Sequence, residues 1–108
     1  MSWYKGSGGT FTITITDTFQ QVVALVVGRG SRKVAAKFAY PARTGYTTLA
    51  KSGDDYSAAM TEAETLAANA EMHDVEVKMF IDDVERPVGK GELEILQISE
   101  AGKIAKAT

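Results

Sequence analysis

The chain contains no cysteine, which excludes disulfides, thiolate metal sites and cysteine nucleophiles together and leaves the redox compartment unmarked. It has one histidine, His73, so a histidine-centred metal site could draw on one such ligand at most. No apolar run approaches bilayer-crossing length, and the opening MSWYKGSGGT lacks the apolar stretch of a signal peptide. These absences lead to the expectation of a soluble protein with no signal peptide and no membrane partner, cytoplasmic or held within an assembled particle. A further absence is local: no Asp or Glu occurs between residues 18 and 53.

What remains is an ordinary globular composition, 108 residues with 44% hydrophobic and 24% charged, enough for one core and not for two. The expectation is a single domain over 1–108, with a polar, glycine-rich arm at 1–9 and a polar tail at 100–108. Trp3 and Tyr4 are the bulky groups of that arm, and an aromatic pair on a mobile segment suits docking on a neighbouring copy. The net charge of -2 hides a segregation, because the acid-free segment holds Arg29, Arg32, Lys33, Lys37, Arg43 and Lys51. All fourteen acids lie elsewhere. Such a division suits either a polyanion or a complementary copy of the same chain.

Strict alternation from Thr10 to Thr16 puts Phe11, Ile13 and Ile15 on one face of a strand and threonines on the other. Asp17 and Thr18 are turn formers, so this strand is expected to fold back on a second, Phe19 to Val27, whose apolar residues on both faces mark it as central. Gly28-Arg29-Gly30-Ser31 then reverses the chain, with Gly30 free to take positive φ. A two-residue loop would pair Leu25 with Val34 and a three-residue loop Val26 with Val34. The second is preferred because it gathers Phe11, Ile13, Ile15, Val22, Ala24, Val26, Val34, Ala36, Phe38 and Tyr40 on one face. Val23, Leu25 and Val27, fringed by Lys33 and Lys37, then form an outward apolar row. A short helix from Ser31 to Tyr40, using Val34 and Phe38, is the alternative for the third strand, which Pro41 ends.

Asp54 or Asp55 opens an expected helix running to about Met72, with Tyr56, Met60, Ala63, Leu66, Ala67 and Ala70 as its inner stripe. Thr61 with Glu64 matches a capping box, which allows a shorter helix from Glu62. Asp74 to Asp82 alternates as a fourth strand, Asp83 to Lys90 reads as a loop around Pro87 and Gly89, and Gly91 to Ser99 reads as a fifth strand. A change of apolar phase between Ile95 and Leu96 suggests a bulge there. The resulting fold class is α+β: a small antiparallel sheet of about five strands, β-β-β-α-β-β, with one helix packed on one face.

Motifs for chemistry are weak. VVGRGSRKV imitates the start of a dinucleotide-binding unit, but Lys33 stands at the third glycine position and Pro41 stops the following segment. Asp82, Asp83 and Glu85 lack the spacing of a calcium loop, and Asp54 beside Asp55 is not an opposed carboxylate pair. The expectation is no enzyme, with no catalytic, metal or cofactor residues. The favoured function is a non-catalytic, self-assembling β-sheet protein, a homo-oligomer or shell- or coat-type subunit, with Trp3, Tyr4, Val23, Leu25 and Val27 at its interface. The second is a nucleic-acid module taking RNA or DNA through Arg29, Arg32, Lys33, Lys37, Arg43 and Tyr46. The third is small-molecule binding at the Tyr40 to Tyr46 loop.

Overall fold

The structure is a computed structural model and describes residues 1–97. The tail at 100–108 and the end of the expected fifth strand lie outside the described residues. The elements are β1 (Ser2–Tyr4), β2 (Gly9–Thr14), β3 (Gln21–Gly28), β4 (Val34–Tyr40), β5 (Thr47–Thr48), β6 (Ala50–Ser52), β7 (Asp55–Met60), α1 (Glu62–Ala67), β8 (Met72–Ile81) and β9 (Val84–Leu96). Six strands form one sheet in the order β1-β9-β8-β3-β4-β5, and three form a second in the order β2-β7-β6. The protein is mostly β-sheet with one short helix. The large sheet is mixed, since β1 runs parallel to β9 and β5 parallel to β4.

This architecture corrects the expected second layer, which is a sheet and not a helix. Residues 55–60, DYSAAM, alternate with Tyr56, Ala58 and Met60 buried, a period of two that their alanines disguise as helix. The helix is the shorter alternative, six residues capped by Thr61 and Glu64, each side chain bonding the other's backbone N–H at 2.9–3.0 Å. Leu66, expected inside, is 62% exposed. Thr65 is the buried residue of α1 instead: its hydroxyl accepts from the N–H groups of Gly6 and Gly8 at 3.1 and 3.0 Å and donates to the Glu62 carbonyl.

β2 exists where alternation placed it but pairs with β7, in the register Phe11↔Ala58 and Ile13↔Tyr56, rather than with β3. Turn residues 17 and 18 therefore carry the chain between sheets. Phe11 and Ile15 face Val22, Ala24, Val26 and Phe38 across the sandwich, all in one core. Phe11 meets Phe38 edge to face at 5.8 Å, and Tyr56 meets Tyr40 at 5.4 Å, so aromatic pairs bridge the layers.

The β3–β4 register is Val22↔Tyr40, Ala24↔Phe38 and Val26↔Ala36, with a shift between Val26 and Val27. It lies two residues from the expected pairing, so the same side chains face inward with one exception: Val34, beyond the bulge, is 46% exposed. The loop is longer than expected because Gly28 N–H bonds the Lys33 carbonyl at 2.8 Å, closing around residues 29–32. Positive φ falls on Arg32 (60°) rather than on Gly30.

The expected 83–90 loop is a strand. Asp82 and Asp83 take φ of 53° and 62° and make a two-residue turn of the kind that matches strand twist, so β8 runs directly back into β9. Pro87 is tolerated because it sits opposite Lys78 at the shift between Val77 and Lys78, on a stretch of β9 with no further partner strand among the described residues. The bulge of this strand is there and not at Ile95, which is buried beside Leu93. At the other end, β9 pairs with β1, Trp3 opposite Ile95. The expected arm is thus part of the fold: Trp3 stacks on Phe11 at 6.4 Å and covers Gly9.

Candidate interaction surface

Most of the basic residues singled out from sequence lie along the outward face and the end of the large sheet, and the structure supplies several of them with internal partners. At the β3–β4 loop the Glu71 carboxylate accepts from the N–H groups of Gly30 and Ser31 at 2.8 and 3.0 Å and from the Ser31 hydroxyl. Those bonds, led by the Ser31 hydroxyl, pull the Glu71 carboxyl from an ordinary value near 4.5 down to about 2. A loop with converging N–H donors is an anion nest. Here the anion is the protein's own.

Arg29 reaches Asp74 at 2.8 Å and Glu92 at 3.3 Å, and Lys90 reaches the other Asp74 oxygen at 3.4 Å. The Asp74 side chain is 4% exposed, and its hydrogen bond from Arg29 holds its carboxyl below the usual range. Lys33 donates to the Ala67 carbonyl at 2.8 Å. Arg32 stays exposed at the loop. Lys37 and Arg43 both lie 5.1 Å from the Tyr46 ring, and Arg43 also lies 5.7 Å from Phe80, so its guanidinium sits between two aromatic faces. Its Nη1 donates to Gln21 at 3.1 Å.

This canopy changes the status of the outward row on β3. Val23 and Val27 are only 6% exposed and Leu25 is half-buried. Expecting all three to be wet overlooked the long side chains of neighbouring strands, whose apolar stems cover such surface while their heads stay solvated. Arg43, Tyr46, Lys78 and Phe80 close over Val23 and Leu25 and leave a depression of about 100 Å³ there. Lys78 is fixed by Glu85 at 2.8 Å, and that hydrogen bond raises the lysine's pKa. Trp3 is half-buried in the fold, while Tyr4 is 50% exposed. His73 is buried with Nδ1 3.0 Å from the Glu71 carbonyl. No group of three or more His, Asp or Glu among the described residues is placed to hold a metal ion.

The sequence reading missed the free edge of β2. Ile15 N–H bonds the Asp54 carbonyl at 2.9 Å, so in this antiparallel ladder the odd residues of β2 bond toward β7. The backbone groups of Thr10, Thr12 and Thr14 point the other way, and no described residue bonds to them. Alternation showed which side chains are dry but not which neighbour the strand takes, and only the neighbour reveals an open edge. No protein-family model matches the chain, and no curated protein sequence matches it.

Proposed function

We propose that this protein is a non-catalytic structural subunit that associates with copies of itself, a homo-oligomer of the shell or coat kind. The observation that carries this reading is where hydrogen-bonding capacity is left over. Side-chain groups are engaged within the fold: Glu71 by the 30–31 loop, Asp74 by Arg29 and Lys90, and His73 by a carbonyl. Among the described residues nothing pairs with the outward backbone donors and acceptors of β2, and an open strand edge is a template for another strand. The nucleic-acid alternative draws less support, since the Gly30 and Ser31 N–H groups that could cradle a phosphate hold Glu71 and Arg29 is bridged to two acids.

Size-exclusion with light scattering, read by absorbance at two wavelengths in low and high salt, tests the reading. A mass that is a multiple of 11.6 kDa, free of nucleic-acid absorbance, is expected. A monodisperse monomer at high micromolar concentration refutes it. Co-eluting nucleic acid that leaves at high salt would favour the alternative.

A further inference from the structure

We propose that two copies join by pairing their β2 strands antiparallel about a twofold axis through Thr12, fusing the two small sheets into one continuous sheet of six strands. This rests on the self-associating reading above and names its surface, partner and register.

The contrast among the edges of this molecule points to β2. Natural proteins blunt exposed edges by making them short, by charging them, or by inserting proline and bulges. β1, β5 and β6 are two or three residues long. The outer edge of β9, which over 84–93 pairs with β8 on one side and with no described strand on the other, carries Glu85, Arg86, Lys90 and Glu92, with Pro87 at a bulge. β2 is six residues long and has none of these devices, and no charge occurs from Gly6 to Thr16. Among the described residues, the other long edge is charged, bulged and interrupted by proline, and this one is bare.

The partner that fits is a second copy, because the edge is its own complement. With the axis at Thr12, that residue faces Thr12 of the second copy, and Thr10 faces Thr14 of the second copy. Each such pair exchanges two hydrogen bonds, so three pairs use every outward N–H and C=O of both strands. A slip of two residues leaves an end pair unmade. Threonine then stands opposite threonine on the solvent face, and Phe11 stands opposite Ile13 of the second copy on the core side, both favourable cross-strand combinations. No like charges meet. Because each β2 edge is used once and the far edge of the sheet, β6, is three residues long, the contact closes on itself and makes a dimer rather than a filament.

Two substitutions of Thr12 test this. Its N–H points away from β7, so Thr12→Pro takes no backbone hydrogen bond from the monomer and costs it one exposed side-chain bond, to the Ser57 hydroxyl at 3.3 Å, but removes both bonds at the axis. Thr12→Lys places two ammonium groups opposite one another. The wild type should run by light scattering at twice 11.6 kDa. Thr12→Pro should weaken the dimer about thirty-fold, the effect of losing two hydrogen bonds, with β-sheet circular dichroism unchanged. Thr12→Lys should dissociate it in low salt and regain part of the association in high salt, as screened repulsion requires. If the wild type is an oligomer and both variants keep its mass, the β2 edge is wrong while self-association stands. A monomeric wild type overturns both. Should Thr12→Pro fail to fold, Thr12→Lys alone decides, since an exposed lysine on an edge strand leaves the monomer intact.

Discussion

Gly9→Ala is the sharpest test of how the first residues are held. A Cβ at Gly9 would lie 2.2 Å from the Cδ2 and Cε2 atoms of the Trp3 ring. Carbon atoms pack at roughly 3.5–4.0 Å, so the ring would have to retreat by about 1.3–1.8 Å. It has no inward route, because the same ring stacks on Phe11, two residues along the same face of β2. Forcing a methyl into such a contact costs about 1–3 kcal/mol. Lifting the indole out instead exposes on the order of 100 Å² of apolar surface, about 2.5 kcal/mol. The methyl returns about 0.5–1 kcal/mol by relieving the glycine penalty in a strand. The net loss is about 1–2 kcal/mol, a fall in Tm of roughly 5–15 °C for a domain of this size. Trp3 is the sole tryptophan, so its emission reports the ring directly and should shift to the red in the folded variant. Urea unfolding followed by fluorescence measures both effects together. Gly89→Ala is the control, since nothing lies within 4 Å of a Cβ there. Wild-type stability and emission in Gly9→Ala would refute the placement of Trp3 over β2.

Three further outcomes follow from the geometry. Glu71 is held at about 2 in the fold against an ordinary 4.5, so its contribution is complete above pH 4.5 and fades as pH falls toward 2. Glu71→Gln should flatten the dependence of the urea midpoint on pH across that window, and an unchanged slope would count against the loop clamp. Asp83→Gly should stabilise by about 0.5–1 kcal/mol, because glycine takes the positive φ of 62° without strain; a loss in thermal unfolding would refute the turn geometry. Met60→Ala should cost about 2–5 kcal/mol, whereas Leu66→Ala should stay within roughly 0.5 kcal/mol. Met60 is 3% exposed and Leu66 62%, and equal costs by denaturant unfolding would restore a long helix over 54–72.

Local pattern carried β3, β4 and β8 well. β8 alternates, β3 is a run apolar on both faces, and the inward parity of Val22, Ala24, Val26, Ala36 and Phe38 survives a two-residue change in register. Pattern failed where composition outweighed period. Alanine made 55–60 resemble a helix, and Pro87 with Gly89 made a strand resemble a loop, although the two aspartates at 82 and 83 are themselves a signal for a tight hairpin turn. The charged surface was readable by residue type only. Arg29, Gly30 and Ser31 find Asp74 and Glu71 forty or more positions away, and no local window reports such a partner. Strand neighbours are equally non-local, which is why the outward face of β3 was expected to be bare and the edge of β2 went unnoticed.

The pairing of β1 with β9 has a consequence for how the chain reaches this state. Among the described residues, the strand partner of residues 2–4 is residues 94–96, some ninety positions along the chain. In folding, β1 must therefore wait for the far end of β9, and until then Trp3 lacks its place beside Ile95. Closing so large a loop is entropically slow, and contacts of such long sequence separation form late. Docking of β1 is consequently a late step of folding, and until it happens the indole of Trp3 and the β2 residues it covers, Gly9 and Phe11, are exposed together.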